Sequence, residues 1–268
     1  MVTSTLFDMT GKKAYITGGT KGIGRAIANA FVDHGAAIVL TGRSLEEAER
    51  VAADINERVK REAAFGLAAD LADRTKLIAS YDSAVRKLSH IDVLVCNAAA
   101  HPSAFGSAAT NAPEEYSRLM EWNIVNNAAL INHAAVAMKE RRDGVILVTS
   151  SSSGIDPAYS VLPYGTSKAG LSFFVRGLAG ELAPYNVRIN AIAPGLTLSD
   201  KLQERMRDTP ELVEGMLRQV PLRRFIAPHE IAAGMVFLAS EGGKAMTGKT
   251  IVMEAGEQGP GVGPVPDA

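Results

Sequence analysis

Seven short runs of apolar and β-branched residues recur along the chain, with longer helix-periodic stretches between them, and that alternation limits the fold more than any other feature. The runs cover 12–17, 36–41, 63–69, 91–96, 144–149, 187–193 and 249–253, and the helix-periodic stretches cover 23–34, 45–60, 74–89, 113–138, 163–182 and 229–240. Segments such as AIVL, DVLV and GVILV are apolar without a polar alternate. Parallel strands covered on both faces have that pattern, whereas a hairpin with one wet face would alternate. The order predicts an α/β architecture, a doubly wound parallel sheet of about seven strands flanked by helices on both faces. No composition shift, linker or repeat divides the 268 residues, so one domain is expected over 1–268. Only the Pro/Gly-rich tail at 259–268, GPGVGPVPDA, differs, and it can pack little core.

Composition excludes several function classes. Lys plus Arg number 28 against 29 for Asp plus Glu, a net charge of −1, which gives no basic surplus for a nucleic-acid reader. Hydrophobic residues make up 47%, enough for a sizeable core and far from a disordered composition. One cysteine, Cys96, leaves no intrachain disulfide and no cysteine-rich zinc site. The five histidines, His34, His90, His101, His133 and His229, have no metal-ligand spacing, so no metal is expected. The N-terminus lacks a signal-peptide pattern and no apolar run approaches membrane-span length, so the expectation is a cytoplasmic protein without a membrane partner.

Directly after the first run comes Thr17-Gly18-Gly19-Thr20-Lys21-Gly22-Ile23-Gly24, and an apolar helical stretch follows. Strand, glycine turn and helix in that order place unpaired N–H groups and the positive end of a helix dipole where a pyrophosphate can approach. The turn makes the sheet a Rossmann-type one. Three residues separate Gly18 from Gly22, a departure from the general G-x-G-x-x-G fingerprint.

T-G-x-x-x-G-x-G is the pattern of the short-chain dehydrogenase/reductase family, and the chain resembles that family from about Asp8 to Gly256. Further residues match in order. Asp70-Leu71 resembles the pair beside the adenine ring, and Asn97-Ala98 stands where the family usually has Asn-Asn-Ala-Gly, here Cys96-Asn97-Ala98-Ala99. Asn123, Ser151, Tyr164, Lys168 and Pro194-Gly195 complete the set. An NAD binder places an acidic residue at the end of the second strand, while NADP needs positive charge there. This chain has Thr41-Gly42-Arg43-Ser44, with Gly42 where the family's acidic residue would lie. Arg43 can pair with a 2′-phosphate beside Ser44, and Lys21 resembles the second basic position of NADP-preferring members. NADP(H) is therefore the expected cofactor.

Tyr164 and Lys168 stand at i and i+4, neighbours on one helix face. A phenol titrates near pH 10, and an adjacent ammonium is expected to lower that value, so that Tyr164 can protonate an alkoxide or take an alcohol proton. The resemblance adds a second role for Lys168, hydrogen bonding to the nicotinamide ribose. Four serines, Ser150 to Ser153, carry no local distinction. Family spacing, three residues before Gly154 and thirteen before Tyr164, selects Ser151, whose hydroxyl would donate to the substrate oxygen. By the same resemblance, Asn123 holds a water that links Lys168 to solvent. Pro194-Gly195 marks the nicotinamide end, where Ser199 and the backbone near Thr197 would meet the carboxamide. Either residue could instead cap the helix that follows.

The segment 197–220 is expected to be a substrate lid, with Leu202, Met206, Leu212, Met216 and Leu217 as its apolar set. The walls at 101–112, with Phe105, and at 155–161, with Tyr159, are small or apolar and suit a small-molecule ketone or secondary alcohol. Arg205 and Arg207 leave an acidic or 3-oxoacyl thioester substrate open. Small residues on 113–138 and 163–182, among them Ala134, Ala135, Gly177 and Gly180, allow close helix contact, and the resemblance implies a homotetramer. A non-catalytic NADP(H)-binding scaffold is the alternative class.

Overall fold

A computed structural model describes residues 5–103, 112–199, 202, 206–208, 210–218 and 220–257. The expected tail 259–268, Phe105, Arg205 and parts of the wall 101–112 and of the lid 197–220 lie outside the described residues, as do the side chains of Tyr159 and Leu212.

The strands are β1 (Lys13–Ile16), β2 (Ala37–Gly42), β3 (Ala64–Ala68), β4 (Val93–Cys96), β5 (Gly144–Thr149), β6 (Val187–Pro194) and β7 (Thr250–Met253). They form one sheet in the order β3-β2-β1-β4-β5-β6-β7, and every pair is parallel. The helices are α1 (Gly22–Asp33), α2 (Leu45–Val59), α3 (Arg74–Leu88), α4 (Pro113–Met120), α5 (Asn127–Arg141), α6 (Leu162–Leu182), α7 (Pro210–Leu217) and α8 (Pro228–Ala239).

The apolar runs do not alternate because each strand feeds two cores. Ile16, Leu40, Val95 and Leu147 point to one face, packed with Ile27 and Phe31 of α1, Val51 and Ile55 of α2 and Met235 of α8. Their neighbours Tyr15, Val39, Leu94 and Val148 point to the other, packed with Leu77 of α3, Leu130 and Ile131 of α5 and Leu171 and Val175 of α6. Successive side chains of a strand face opposite ways, so a strand buried on both sides has no polar position to offer. Each fully buried aliphatic side chain contributes about 1.5–3 kcal/mol.

One expected helix is interrupted. The stretch 113–138 divides into α4, a π turn at Glu121–Asn126 and α5. The widened turn contains Asn123, and such insertions in an α-helix often accompany functional sites.

From β1 the chain winds outward through β2 and β3, then returns to place β4 on the other side of β1. The two windings part at the carboxyl ends of β1 and β4, which opens a crevice there. The turn 17–24 leaves β1 at that edge, Asn97 follows β4, Ser151 follows β5 and Gly195 follows β6.

Candidate active site

The turn after β1 is held by side chains from the other winding. Asn97 Nδ2 donates to the carbonyls of Thr17 and Gly18, both at 3.1 Å, and Asn97 Oδ1 accepts from Thr149 Oγ1 at 3.2 Å. Thr17 Oγ1 in turn accepts from the N–H groups of Asn97 and Ala98 at 2.9 and 3.0 Å. One amide thus ties β1, β4 and β5 together, and the sequence CNAA does this without the family's first Asn or its Gly. Gly24 is required by contact, since a Cβ there would drive into the Gly18 carbonyl.

The residues fit a dinucleotide. Gly22 has φ +53, and nothing lies within 4 Å of where its Cβ would stand. At that point α1 begins without a side-chain cap and without an acidic residue in its first turn. The N–H groups and dipole of this terminus, next to Ile23, favour a phosphate. Lys21 is exposed beside it. At the end of β2, Arg43 and Ser44 are exposed, and Ser44 Oγ accepts from Glu47 N at 3.2 Å as the N-cap of α2. A Cβ on Gly42 would stand 2.6 Å from Thr20 Cγ2, so a carboxylate at this position would require Thr20 to move. Past β3, Asp70 Oδ1 accepts from Ala72 N at 3.0 Å, and the carbonyl of buried Leu71 accepts from Asn126 Nδ2 at 2.9 Å.

The structure gives three of the four serines that local sequence leaves alike different partners. Ser150 Oγ faces α6, where it donates to the Lys168 carbonyl at 3.1 Å and pairs with Ser172 Oγ at 2.7 Å. Ser152 Oγ donates to Glu257 Oε2 at 3.4 Å. Ser151, buried, accepts from Ser153 N at 3.2 Å through its Oγ, and it is the serine whose hydroxyl acts on the Tyr164 phenol and favours its ionised form. The turn that carries it lies against α6, and a Cβ on Gly154 would stand 2.7 Å from Ala169 N. Lys168 Nζ donates to the Thr149 carbonyl at 2.7 Å and lies 5.6 Å from the centre of the Tyr164 ring. Ser151, Tyr164 and Lys168 are therefore together, beyond the carboxyl end of β5.

Asn123 acts first as a clamp. Its Oδ1 accepts from Ala100 N at 2.8 Å, and its Nδ2 donates to the Ala100 carbonyl and to Ser167 Oγ, both at 3.0 Å. Ser167 Oγ donates onward to the Tyr164 carbonyl at 2.7 Å. The π turn thereby holds the loop after β4 against the first turns of α6.

Burial pushes the Tyr164 phenol up to about 12, with the Ser151 hydrogen bond as the opposing, smaller influence. Burial also pushes the Lys168 amine down to about 8. In both groups desolvation disfavours the charged form and is the largest influence. Cys96, behind them, is raised to about 12 by the same desolvation, so it is a buried thiol and not a reactive one.

At the nicotinamide end, Pro194 closes β6, and Gly195 N donates to the Met253 carbonyl at 2.9 Å. Thr197 Oγ1 donates to the Gly195 carbonyl at 3.0 Å, and Ser199 Oγ accepts from Leu202 N at 3.2 Å, the capping alternative. In the lid segment, Leu202 and Val213 pack with Phe225 in a small cluster of their own, joined by Leu196, Leu198, Met216 and Leu217, while Met206 is exposed.

The sequence places His101 at the start of the expected wall 101–112 but does not put it against the phenol. The rings of His101 and Tyr164 are stacked with centroids 5.2 Å apart. Sixty-three positions of sequence separate them, and only the position of His101 shortly after Asn97 could have pointed to it.

A sheet of this order, with a glycine turn at the crevice and a serine, a tyrosine and a lysine gathered beside it, defines a nicotinamide-dependent oxidoreductase class. The chain belongs to the short-chain dehydrogenase/reductase family: residues 18–258 match the family model described as enoyl-(acyl carrier protein) reductase. It is 32% identical over 257 residues to 7alpha-hydroxysteroid dehydrogenase of Escherichia coli strain K12, covering 96% of this chain and 98% of that one. A solved 7 alpha-hydroxysteroid dehydrogenase complexed with NADH and 7-oxo glycochenodeoxycholic acid superposes with a TM-score of 0.88 at 31% identity, over 96% and 98% of the two chains. A 3-oxoacyl (acyl-carrier-protein) reductase from Agrobacterium tumefaciens C58 with NADP bound gives 0.88 at 27% identity, over 95% and 97%.

Proposed function

We propose that the chain is an NADP(H)-preferring reductase of ketones and, in reverse, a dehydrogenase of secondary alcohols, with Tyr164 as acid and base. The meeting of Ser151, Tyr164 and Lys168 at the crevice beside the turn 17–24 is the observation that carries it. When bound, the dinucleotide supplies or takes the hydride. The Tyr164 hydroxyl then gives its proton to the substrate oxygen, and the Ser151 hydroxyl donates to the same oxygen as negative charge grows on it. Negative charge developing there would be stabilised by the Lys168 ammonium, which would also bond the ribose, and Asn123 would sustain the water relay that resupplies the proton. Gly18, Thr20, Lys21, Gly22, Ile23 and Gly24 would hold the pyrophosphate, with Asn97 and Ala98 beside it. Asp70 and Leu71 would take the adenine end, and Pro194, Gly195, Thr197 and Ser199 the carboxamide end.

Family membership does not choose the dinucleotide, since the solved relatives hold NADH in one case and NADP in another. Charge favours the phosphate. Arg43 and Lys21 are exposed at the end of β2 and the start of α1, and Thr20 crowds the place of an acidic residue at 42. The test is the ratio of kcat/KM with NADPH to that with NADH. Arg43→Ala is expected to lower it about ten- to a hundredfold, the worth of one partly screened charge at contact. An unchanged ratio would take Arg43 out of cofactor selection.

The small apolar walls suit a ketone of modest size, cyclic or aromatic. A 3-oxoacyl thioester is the second reading, favoured by the Agrobacterium relative and decided by assaying such a thioester directly. The lone buried cysteine suits a reducing compartment, which supports the cytoplasm. Val136 on α5 and Phe173 on α6, 59% and 78% exposed, support assembly of these helix faces into a homotetramer.

A further inference from the structure

Tyr164 is flanked by an imidazole whose backbone is fixed from both sides. The ring planes of His101 and Tyr164 make an angle of 23°, with centroids 5.2 Å apart, an offset stack. Before His101, Ala100 is bonded through both its N–H and its carbonyl to Asn123 of the π turn. The His101 carbonyl accepts from Arg118 Nη2 at 2.8 Å, and after it Ser103 N donates to Glu115 Oε1 at 2.7 Å. Glu115 and Arg118 are themselves paired at 2.8 Å within α4. His101 is exposed while Tyr164 is half-buried, so the imidazole covers the phenol ring from the open side of the crevice.

We infer that His101 is a positioning residue for Tyr164: its ring, carried by a backbone that α4 and the π turn hold, keeps the phenol ring turned so that its hydroxyl faces Ser151, and it forms the wall that a carbonyl substrate passes on its way in. A phenol fixed only by its own helix could swing about its Cα–Cβ bond, and a flat surface against one ring face removes that freedom. The stacked ring face is what the inference assigns to this role, so a phenyl group should replace it. The inference rests on the reading of Tyr164 as the acid.

The test uses the full chain labelled with carbon-13 in its tyrosine rings, with Tyr164→Phe to assign the Tyr164 resonance, and reduction of cyclohexanone and 2-tetralone by NADPH and by NADH. His101→Ala should remove the ring-current shift of the Tyr164 signal and lower kcat about 2- to 12-fold, the stacking contribution expressed as a rate. KM for the dinucleotide should stay unchanged. His101→Phe should return both signal and kcat towards the wild-type values. With an active wild type, an unmoved Tyr164 resonance in His101→Ala, or a loss of kcat that phenylalanine does not restore, would overturn the inference alone. A wild type inactive on every carbonyl probe with both dinucleotides would overturn the reading beneath it.

Discussion

Burying an amine and a phenol one helical turn apart gives the site a pH signature of its own. Lys168 is shifted by desolvation from 10.5 down to about 8, and Tyr164 by desolvation from 10.0 up to about 12. Between about pH 8 and 10 the folded lysine has released a proton that the unfolded chain still holds, so stability rises with pH across that window. Above 10 the unfolded tyrosine ionises first, and the gain is reversed. The urea midpoint of the wild type relative to Lys168→Met should therefore climb from pH 8 to 10. Parallel curves would mean that the lysine is solvated. At this scale, the sequence made Tyr164 and Lys168 visible because i and i+4 share a helix face. It could not reveal the sign of the phenol shift, which depends on how much water the surrounding fold excludes. The choice among Ser150, Ser151, Ser152 and Ser153 was legible only by spacing, while the different partners of the first three, α6, Tyr164 and Glu257, are tertiary.

Elements are aligned here by close contacts between turns and helices. The turn Ser152–Gly154 seats on α6 because Gly154 has no side chain to strike Ala169 N or Lys168, and Gly165 similarly admits the Ser153 carbonyl. Gly154→Ala should lift this turn and separate Ser151 from Tyr164. We expect a loss of about 1–3 kcal/mol in urea unfolding from overpacking, and a fall in kcat on the order of ten- to a hundredfold from misplacement. Unchanged stability and turnover would show that the contact relaxes freely. The seven strands were legible because burial on both faces leaves runs without polar residues, and the helices because each shows the sheet only one stripe. The π turn was not legible: Glu121–Asn126 keeps ordinary helical composition, and its widening follows from what Asn123 and Asn126 must reach, Ala100, Ser167 and the Leu71 carbonyl.

In the whole molecule, function follows from where the two windings of the sheet part. The crevice between β1 and β4 receives the turn 17–24 from one winding and Asn97, Ser151 and Gly195 from the other, so a cofactor there would touch segments that lie far apart in sequence. Sequence reading located each of these segments because all of them directly follow a strand. It did not show that His101 joins them, since that depends on how α4 carries the loop after β4 over the crevice. In the proposed reaction the phenol of Tyr164 moves the proton that accompanies hydride transfer, and the most direct measurement compares wild type with Tyr164→Phe in NADPH-dependent ketone reduction, alongside a fluorescence titration of NADPH binding. The expected result is a fall in kcat of about a hundred- to ten-thousandfold with dinucleotide affinity retained. Equal turnover by the two proteins would contradict it.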